Sequence, residues 1–274
     1  MNRVPLARRV QIINCLVEGN SIRSTERMTG THRDTICRLL VEVGDGCAKI
    51  MDEEMRDLPC RRIEVDEIWA YVGKKQRHML PSDDPSRVGD QYTFVALDPV
   101  SKLVPAYRIG KRDLPTATAF MTDLSERLAN RVQLSSDALA AYVEATELAF
   151  GADVDYGQEV KFYEAEPVGR GRYSPPQVSA AQRIVIAGNP DKALISTSLI
   201  ERQNLTMRMS MRRFTRLTNA FSKKVENLRA AVALHFAHYN FVRVHRTLRV
   251  TPAMEAGVSN RLWSLDELVE RVSA

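Results

Sequence analysis

The stretch Arg62-Ile63-Glu64-Val65-Asp66-Glu67-Ile68-Trp69-Ala70-Tyr71-Val72-Gly73 decides the fold. It is dense in β-branched and aromatic residues, and Gly73 with the basic pair Lys74-Lys75 ends it, so it reads as a strand. An acid inside such a strand is costly unless it is paired or bound to a cation. Asp66 and Glu67 are neighbours, and alternation sends neighbours to opposite faces, so only one of them is expected to join a given cluster. Apolar residues flank both, and periodicity leaves the choice open.

Outward from this strand the chain alternates. Tyr92 to Leu97 is a second strand closed by Asp98-Pro99, and Leu103 to Ile109 a third, which together predict an antiparallel meander. Asp113 to Leu128 is a helix, with Asp113 as cap and Pro115 in its first turn. Val132 to Leu134 is a short strand stopping at Ser135-Ser136-Asp137. A helix follows over Ala138 to Phe150, then a strand over Val154 to Phe162. The order β-β-β-α-β-α-β is that of the RNase-H-like fold, an α/β mixed sheet flanked by helices. Residues from about 164 to 197, including the turn-rich Glu166-Pro-Val-Gly-Arg-Gly-Arg-Tyr-Ser-Pro-Pro, read as a loop or an inserted element.

Residues 1–50 parse as three helices. Arg8 to Val17 is amphipathic and stops at Gly19-Asn20; Ser21 caps a short second helix carrying Ile22 and Met28. Gly30 turns the chain, and Thr31 caps a third helix running through Ile36, Leu39 and Leu40 to Gly44. Helix, glycine turn, helix is the helix-turn-helix pattern, whose last helix enters the major groove. His32, Arg33 and Arg38 sit early on that helix, where base edges and phosphates are met. A plain three-helix bundle that binds protein is the competing reading. The expected organisation is a helix-turn-helix domain over 1–50, a catalytic domain over 60–258 and a C-terminal helix over 259–274.

Composition narrows the class. The 274 residues are 44% hydrophobic and 27% charged, ordinary for a globular chain. The net charge of +5 is mild, yet from Glu201 to Val250 eleven Lys/Arg stand against Glu201 and Glu226 alone, which suits a polyanion. Apolar runs are too short to span a bilayer. Arg3, Arg8 and Arg9 precede a helix that turns polar at Glu18, unlike a secretory signal. The four cysteines form no CxxC pair, so buried thiols in a cytosolic setting are expected rather than a disulfide framework or zinc site. His235 and His238 lack matching metal ligands.

Phosphodiester chemistry uses two Mg²⁺ ions roughly 3.5–4 Å apart, held by a few converging carboxylates. The candidates are Asp66 in the first strand, Asp137 at the end of the fourth, and Glu201 opening a late helix. Each alone has an ordinary reading as a strand-edge acid, a helix cap or a charge complementing a helix dipole. Their order along the secondary structure favours a joint role. At helical spacing Asn204, Leu205, Arg208 and Arg212 share a face with Glu201, so an acid is followed by cations suited to a DNA backbone.

At these residues the chain resembles the DDE transposases of bacterial insertion sequences, nearest the insertion-sequence-one family. The resemblance rests on Val-Asp-Glu-Ile-Trp at 65–69, Ser-Asp at 136–137 and Ile-Glu-Arg-Gln-Asn-Leu-Thr-Met-Arg at 200–208. It extends to His238-Tyr-Asn-Phe-Val-Arg-Val-His-Arg-Thr-Leu and Thr251-Pro-Ala-Met-Glu-Ala-Gly. It covers roughly residues 10 to 258. It implies that Asp66, Asp137 and Glu201 form a metal-binding catalytic triad for two Mg²⁺ ions, with Mn²⁺ as a substitute, and it resolves the Asp66/Glu67 choice toward Asp66. It further implies that Arg208 contacts DNA, that His245 occupies a recurrent tail position, and that the partners are double-stranded terminal inverted repeats and target DNA. Two ends held together require a homo-oligomer on DNA, in the cytoplasm at the nucleoid. Relatives often carry a cysteine zinc finger ahead of the helix-turn-helix, which this chain lacks. A nuclease of the same fold and a non-catalytic DNA-binding regulator are the rival classes.

Overall fold

Six strands form one mixed sheet: β1 (Arg62–Val72), β2 (Gly89–Leu97), β3 (Tyr107–Gly110), β4 (Val132–Ser136), β5 (Val154–Glu164) and β6 (Gln177–Ala187), in the spatial order β3-β2-β1-β4-β5-β6. β1, β2 and β3 make the antiparallel meander, while β4 runs parallel to β1 and β5 parallel to β4. The arrangement is compatible with an RNase-H-like fold. The computed structural model describes residues 4–164, 177–215 and 218–272.

Strand β6 lies within the stretch of about 164 to 197 that the sequence reads as a loop or an inserted element. No strand was expected there, yet residues 177–187 pair antiparallel with β5 and widen the sheet by one strand. The β-branched run Ile184-Val-Ile carries the strand signal. The turn-rich residues 165–176 lie outside the described residues.

Helices cover both faces. α4 (Leu114–Ser125) and α5 (Ala140–Phe150) pack on one, where Phe94 of β2 meets Phe120 at 5.8 Å and Tyr142 edge-on at 6.0 Å. Asp113 caps α4 by accepting from Thr116 N at 3.0 Å. α6 (Ser198–Ser210) lies on the other face, reached by the alternate β1 side chains Glu64 and Asp66.

The first three helices are α1 (Leu6–Val17), α2 (Ile22–Thr29) and α3 (Arg33–Glu54). Ser21 caps α2, accepting from Ser24 N at 3.0 Å; His32 rather than Thr31 stands at the α3 N-cap. α3 does not stop at Gly44 but runs ten residues further, to Glu54. A Cβ on Gly44 would sit 2.5 Å from Ala230 of α7 (Val225–Ala237), so this glycine permits close helix approach rather than ending the helix. Residue 50 therefore falls inside a helix whose Val43, Cys47 and Met51 join one continuous core with the sheet. At Gly19, φ is +79° and a Cβ would lie 3.2 Å from Ser210 O, which docks the α1–α2 turn on the end of α6.

After α7 the chain makes a π-helical turn over His238–Val242, then α8 (Pro252–Glu255) and α9 (Leu265–Arg271). Buried Asn240 ties this tail to the sheet side, accepting from Val104 N at 3.1 Å and donating to Val104 O at 2.9 Å. His245 closes a local turn: its N–H donates to Val250 O at 2.9 Å and its Nδ1 meets Thr247 Oγ1 at 3.0 Å. The four cysteines are free. No helix of the described residues is long and apolar enough to cross a membrane.

Candidate metal and phosphodiester site

β1 and β4 pair only over Arg62–Glu64 and Gln133–Ser135, and β4 ends at Ser136. Beyond that point β1 is unpaired on its β4 side until Val72 bridges Ser222, and a gap opens at the carboxyl end of β4. Asp137 enters the gap directly. Its turn is set by Ser136 Oγ, which reaches Asp137 O at 2.7 Å and Tyr156 OH at 2.7 Å, and by Leu139 N donating to Asp137 Oδ1 at 3.0 Å.

Asp66, Glu67 and Asp137 each bring a carboxylate oxygen into one group, all within 4.8 Å of one another. This corrects the expectation that only one of Asp66 and Glu67 can join. Alternation holds for the backbone: Asp66 turns to the α6 face and Glu67 to the α5 face. With β4 ended, nothing separates the two faces there, and both carboxylates reach the same gap.

The three acids are held differently. Asn204 of α6 donates from Nδ2 to Asp66 Oδ2 at 2.8 Å, and its own Oδ1 is buried without a hydrogen-bond partner among the described residues. Glu67 accepts from Arg112 Nε at 2.6 Å and from the buried Tyr142 OH at 3.0 Å. Arg112 Nη2 also lies 4.0 Å from Asp137 Oδ2. Burial, then the neighbouring Glu67 charge, with Asp137 and Glu201 adding to it, push the Asp66 carboxyl up to about 7. Burial and the Asp137 charge raise Glu67 as well, against the lowering pull of Arg112 and Tyr142.

Glu201 stands on the Asp66 side, close enough to raise that carboxyl, but outside the 4.8 Å group. Its carboxylate is bonded to Lys161 Nζ and accepts from Thr197 Oγ1 at 2.8 Å. Lys161 in turn lies 3.3 Å from Glu159, which accepts from Thr197 N at 3.1 Å and lies 3.1 Å from Thr197 Oγ1. Glu64 secures the same helix start, accepting from Leu199 N and Ile200 N at 2.9 Å each. Three acids, Glu64, Glu159 and Glu201, thus surround the first turn of α6, where the helix dipole favours negative charge.

The residues expected to contact DNA fall in three places. His32, Arg33 and Arg38 are exposed at the start of α3, with Arg38 Nη2 3.3 Å from Thr35 Oγ1. Asn204 is buried against Asp66 and belongs to the carboxylate group, not to an outer phosphate surface. Arg208 lies near the end of α6, its Nη1 3.4 Å from Phe214 O. Arg212 does not share the α6 face with Glu201, because α6 ends at Ser210 and Arg212 begins a 3₁₀ turn over Arg212–Phe214. Glu67 was weighed against Asp66 and set aside; Arg112, Tyr142, Glu64 and Lys161 were not singled out for this site by the sequence. An arginine two residues past the meander was the available signal.

Neither a protein-family profile nor a curated protein matches the chain. Among solved structures, the Mos1 transposase paired-end complex with left transposon end is similar at 11% identity and a TM-score of 0.23, over 57% of this chain and 59% of that one. The Mos1 strand transfer complex is similar at 11% identity and a TM-score of 0.23, over 86% of this chain and 78% of that one. The chain thus spans about three-fifths of the first structure's length, and likeness at these scores carries no argument about fold or activity.

Proposed function

We propose that the chain is a DDE-type DNA transposase that cleaves transposon ends and transfers the strand into target DNA. The observation that carries this reading is the meeting of Asp66, Glu67 and Asp137 oxygens within 4.8 Å at the end of a parallel strand pair. Like charges brought this close destabilise one another, and a divalent cation relieves the repulsion. The donor set fits such an ion: hard carboxylate oxygens, with the orphaned Asn204 Oδ1 beside them. Asp66 and Asp137 would hold Mg²⁺, or Mn²⁺ in its place, with Glu201 and Glu67 as candidates for the third acid. When bound, a metal pair supplies charge neutralisation to the attacking and leaving oxygens of a phosphodiester.

The chain's own residues set the geometry. Asn204 fixes one Asp66 oxygen and leaves the other to the gap. Arg112 holds Glu67 and lends positive charge to the Asp137 side. Lys161 holds Glu201 in reserve; release of that ion pair frees the carboxylate to turn toward Asp66. His32, Arg33 and Arg38 present donors at the start of α3 for recognition of inverted repeats, and Arg208 and Arg212 bring positive charge beyond the acidic end of α6. In-line attack by water exposes a 3′-hydroxyl, and the same site then directs that hydroxyl at a target phosphodiester. A homo-oligomer at the nucleoid holds the two ends together.

The test is incubation of the full chain with duplex carrying the element's flanking repeats and Mg²⁺, reading both cuts and joins. Asp66→Asn and Asp137→Asn are expected to reduce both to background while end binding persists. Cutting without joining identifies a nuclease; binding with no metal-dependent cutting identifies a regulator. Either result overturns the proposal.

A further inference from the structure

A second concave site lies at the opposite end of α6 from the acids. It is a cleft of about 1130 Å³ between the α1–α2 turn and the start of α3 on one side, and residues 210–213, 218–221 and 223 with α7 on the other. Among its described lining residues are Arg23, Arg33, Arg212, Arg213 and Lys223, against the single acid Asp34. The cations stand on both walls: Arg23 and Arg33 from the N-terminal helices, the other three from the segment after α6.

Arg213 marks the site as more than a solvated charge patch. Its guanidinium is desolvated enough to lower its pKa, and its Nη1 donates to Ser222 Oγ at 2.8 Å. No carboxylate among the described residues pairs with it. A cation drawn from water without a counter-charge is costly, and an anion seated in the cleft offsets that cost. On the floor, the buried His235 has an Nε2 without a partner among the described residues. Ser21 and Arg23, at the first turn of α2, add backbone N–H groups whose dipole favours an anion.

We propose that this cleft grips the phosphate backbone of one strand of duplex DNA, clamped between the N-terminal helices and the segment that follows α6. This rests on the transposase reading for the identity of the polyanion, but not on metal chemistry. Duplex is favoured over single-stranded DNA because unstacked bases need free ring faces. The one Phe, Tyr or Trp among its described lining residues, Phe221, is already stacked on Tyr71 at 4.6 Å. A strand held here runs on along α6, so the cleft registers DNA relative to the acids at that helix's other end.

The test is the salt dependence of binding of a labelled random-sequence duplex to the full chain in EDTA. Arg23, Arg212 and Lys223 are exposed, so the triple variant R23A/R212A/K223A removes charge without disturbing the core. It is expected to reduce the slope of log affinity against log salt by about 2 to 3, near 0.9 for each phosphate contact. A control triple of exposed cations elsewhere, K49A/R77A/K192A, is expected to leave the slope unchanged, as is Asp66→Asn. Equal slopes in wild type and cleft triple overturn the proposal, as does an equal fall in both triples. Tighter binding of a single strand than of duplex, lost in the cleft triple, overturns the duplex assignment. Cleavage that is absent throughout while the cleft triple still lowers the slope sinks the transposase reading and leaves the cleft standing. Normal cleavage with no change of slope does the reverse.

Discussion

The two ends of α6 are electrostatic opposites. At its start, Glu64, Glu159 and Glu201 surround the first turn, and Asp66 bonds to Asn204 one turn on. Past its end, Arg212, Arg213 and Lys223 line a cleft that holds only one acid among its described residues. The helix is 13 residues long, about 20 Å at 1.5 Å per residue. A net charge of +5 conceals this polarity. Acids gather where a cation would be bound and cations where a phosphate would be, and one rigid element fixes the distance between them.

The acidic end is the place to break this comparison with the largest effect. Asp66→Asn or Asp137→Asn is expected to bring metal-dependent cleavage to background in a nicking assay, with duplex affinity unchanged. Glu67→Gln and Glu201→Gln sharpen it: the third ligand is whichever of the two also abolishes cleavage. If Glu201 is recruited, Lys161→Met frees it from its ion pair and is expected to lower the Mg²⁺ concentration needed for half-maximal cleavage.

Smaller effects fall on the scaffold that holds the helix. Glu64→Ala leaves Leu199 N and Ile200 N without their acceptor and is expected to cost about 2–3 kcal/mol in denaturant unfolding. Glu64→Gln keeps an acceptor oxygen and is expected to cost clearly less, since burial already raises the Glu64 carboxyl toward its neutral form. Gly44→Val forces α3 away from Ala230, an overpacking cost of about 1–3 kcal/mol read as a lower melting temperature.

A last expected effect is on pH. Asp66 is raised to about 7 in the folded chain, from an ordinary value of 3.8. Its folded state therefore binds the proton more tightly, so the stability it contributes is complete below about 4 and lost as pH rises through about 7. Melting of the metal-free protein across that window is expected to show the decline, and Asp66→Asn to flatten it. Mg²⁺ is expected to raise the melting temperature more at pH 8 than at pH 6, because the ion needs the ionised carboxylate.

Much of this was legible in the residues. The dense β-branched pattern of 62–72 marks the central strand, Asp113 and Ser21 announce their caps, and the order of elements matches the observed topology. The failures share a cause, which is tertiary context that local rules do not see. Gly44 reads as a helix stop until Ala230 is placed against it. Glu67 reads as facing away until β4 is known to end beside it. Arg212 continues the α6 stripe in sequence because neither Gly nor Pro marks the end at Ser210. β6 was hidden by the turn-rich stretch before it, although Ile184-Val-Ile carried a strand signal.

The most direct measurement is Mn²⁺ binding to the full, DNA-free chain followed by electron paramagnetic resonance. Saturable loss of the free-ion signal in wild type, abolished in both Asp66→Asn and Asp137→Asn, is the expected result. Binding that survives both substitutions, or no binding in wild type, would contradict a shared cation at the end of β4.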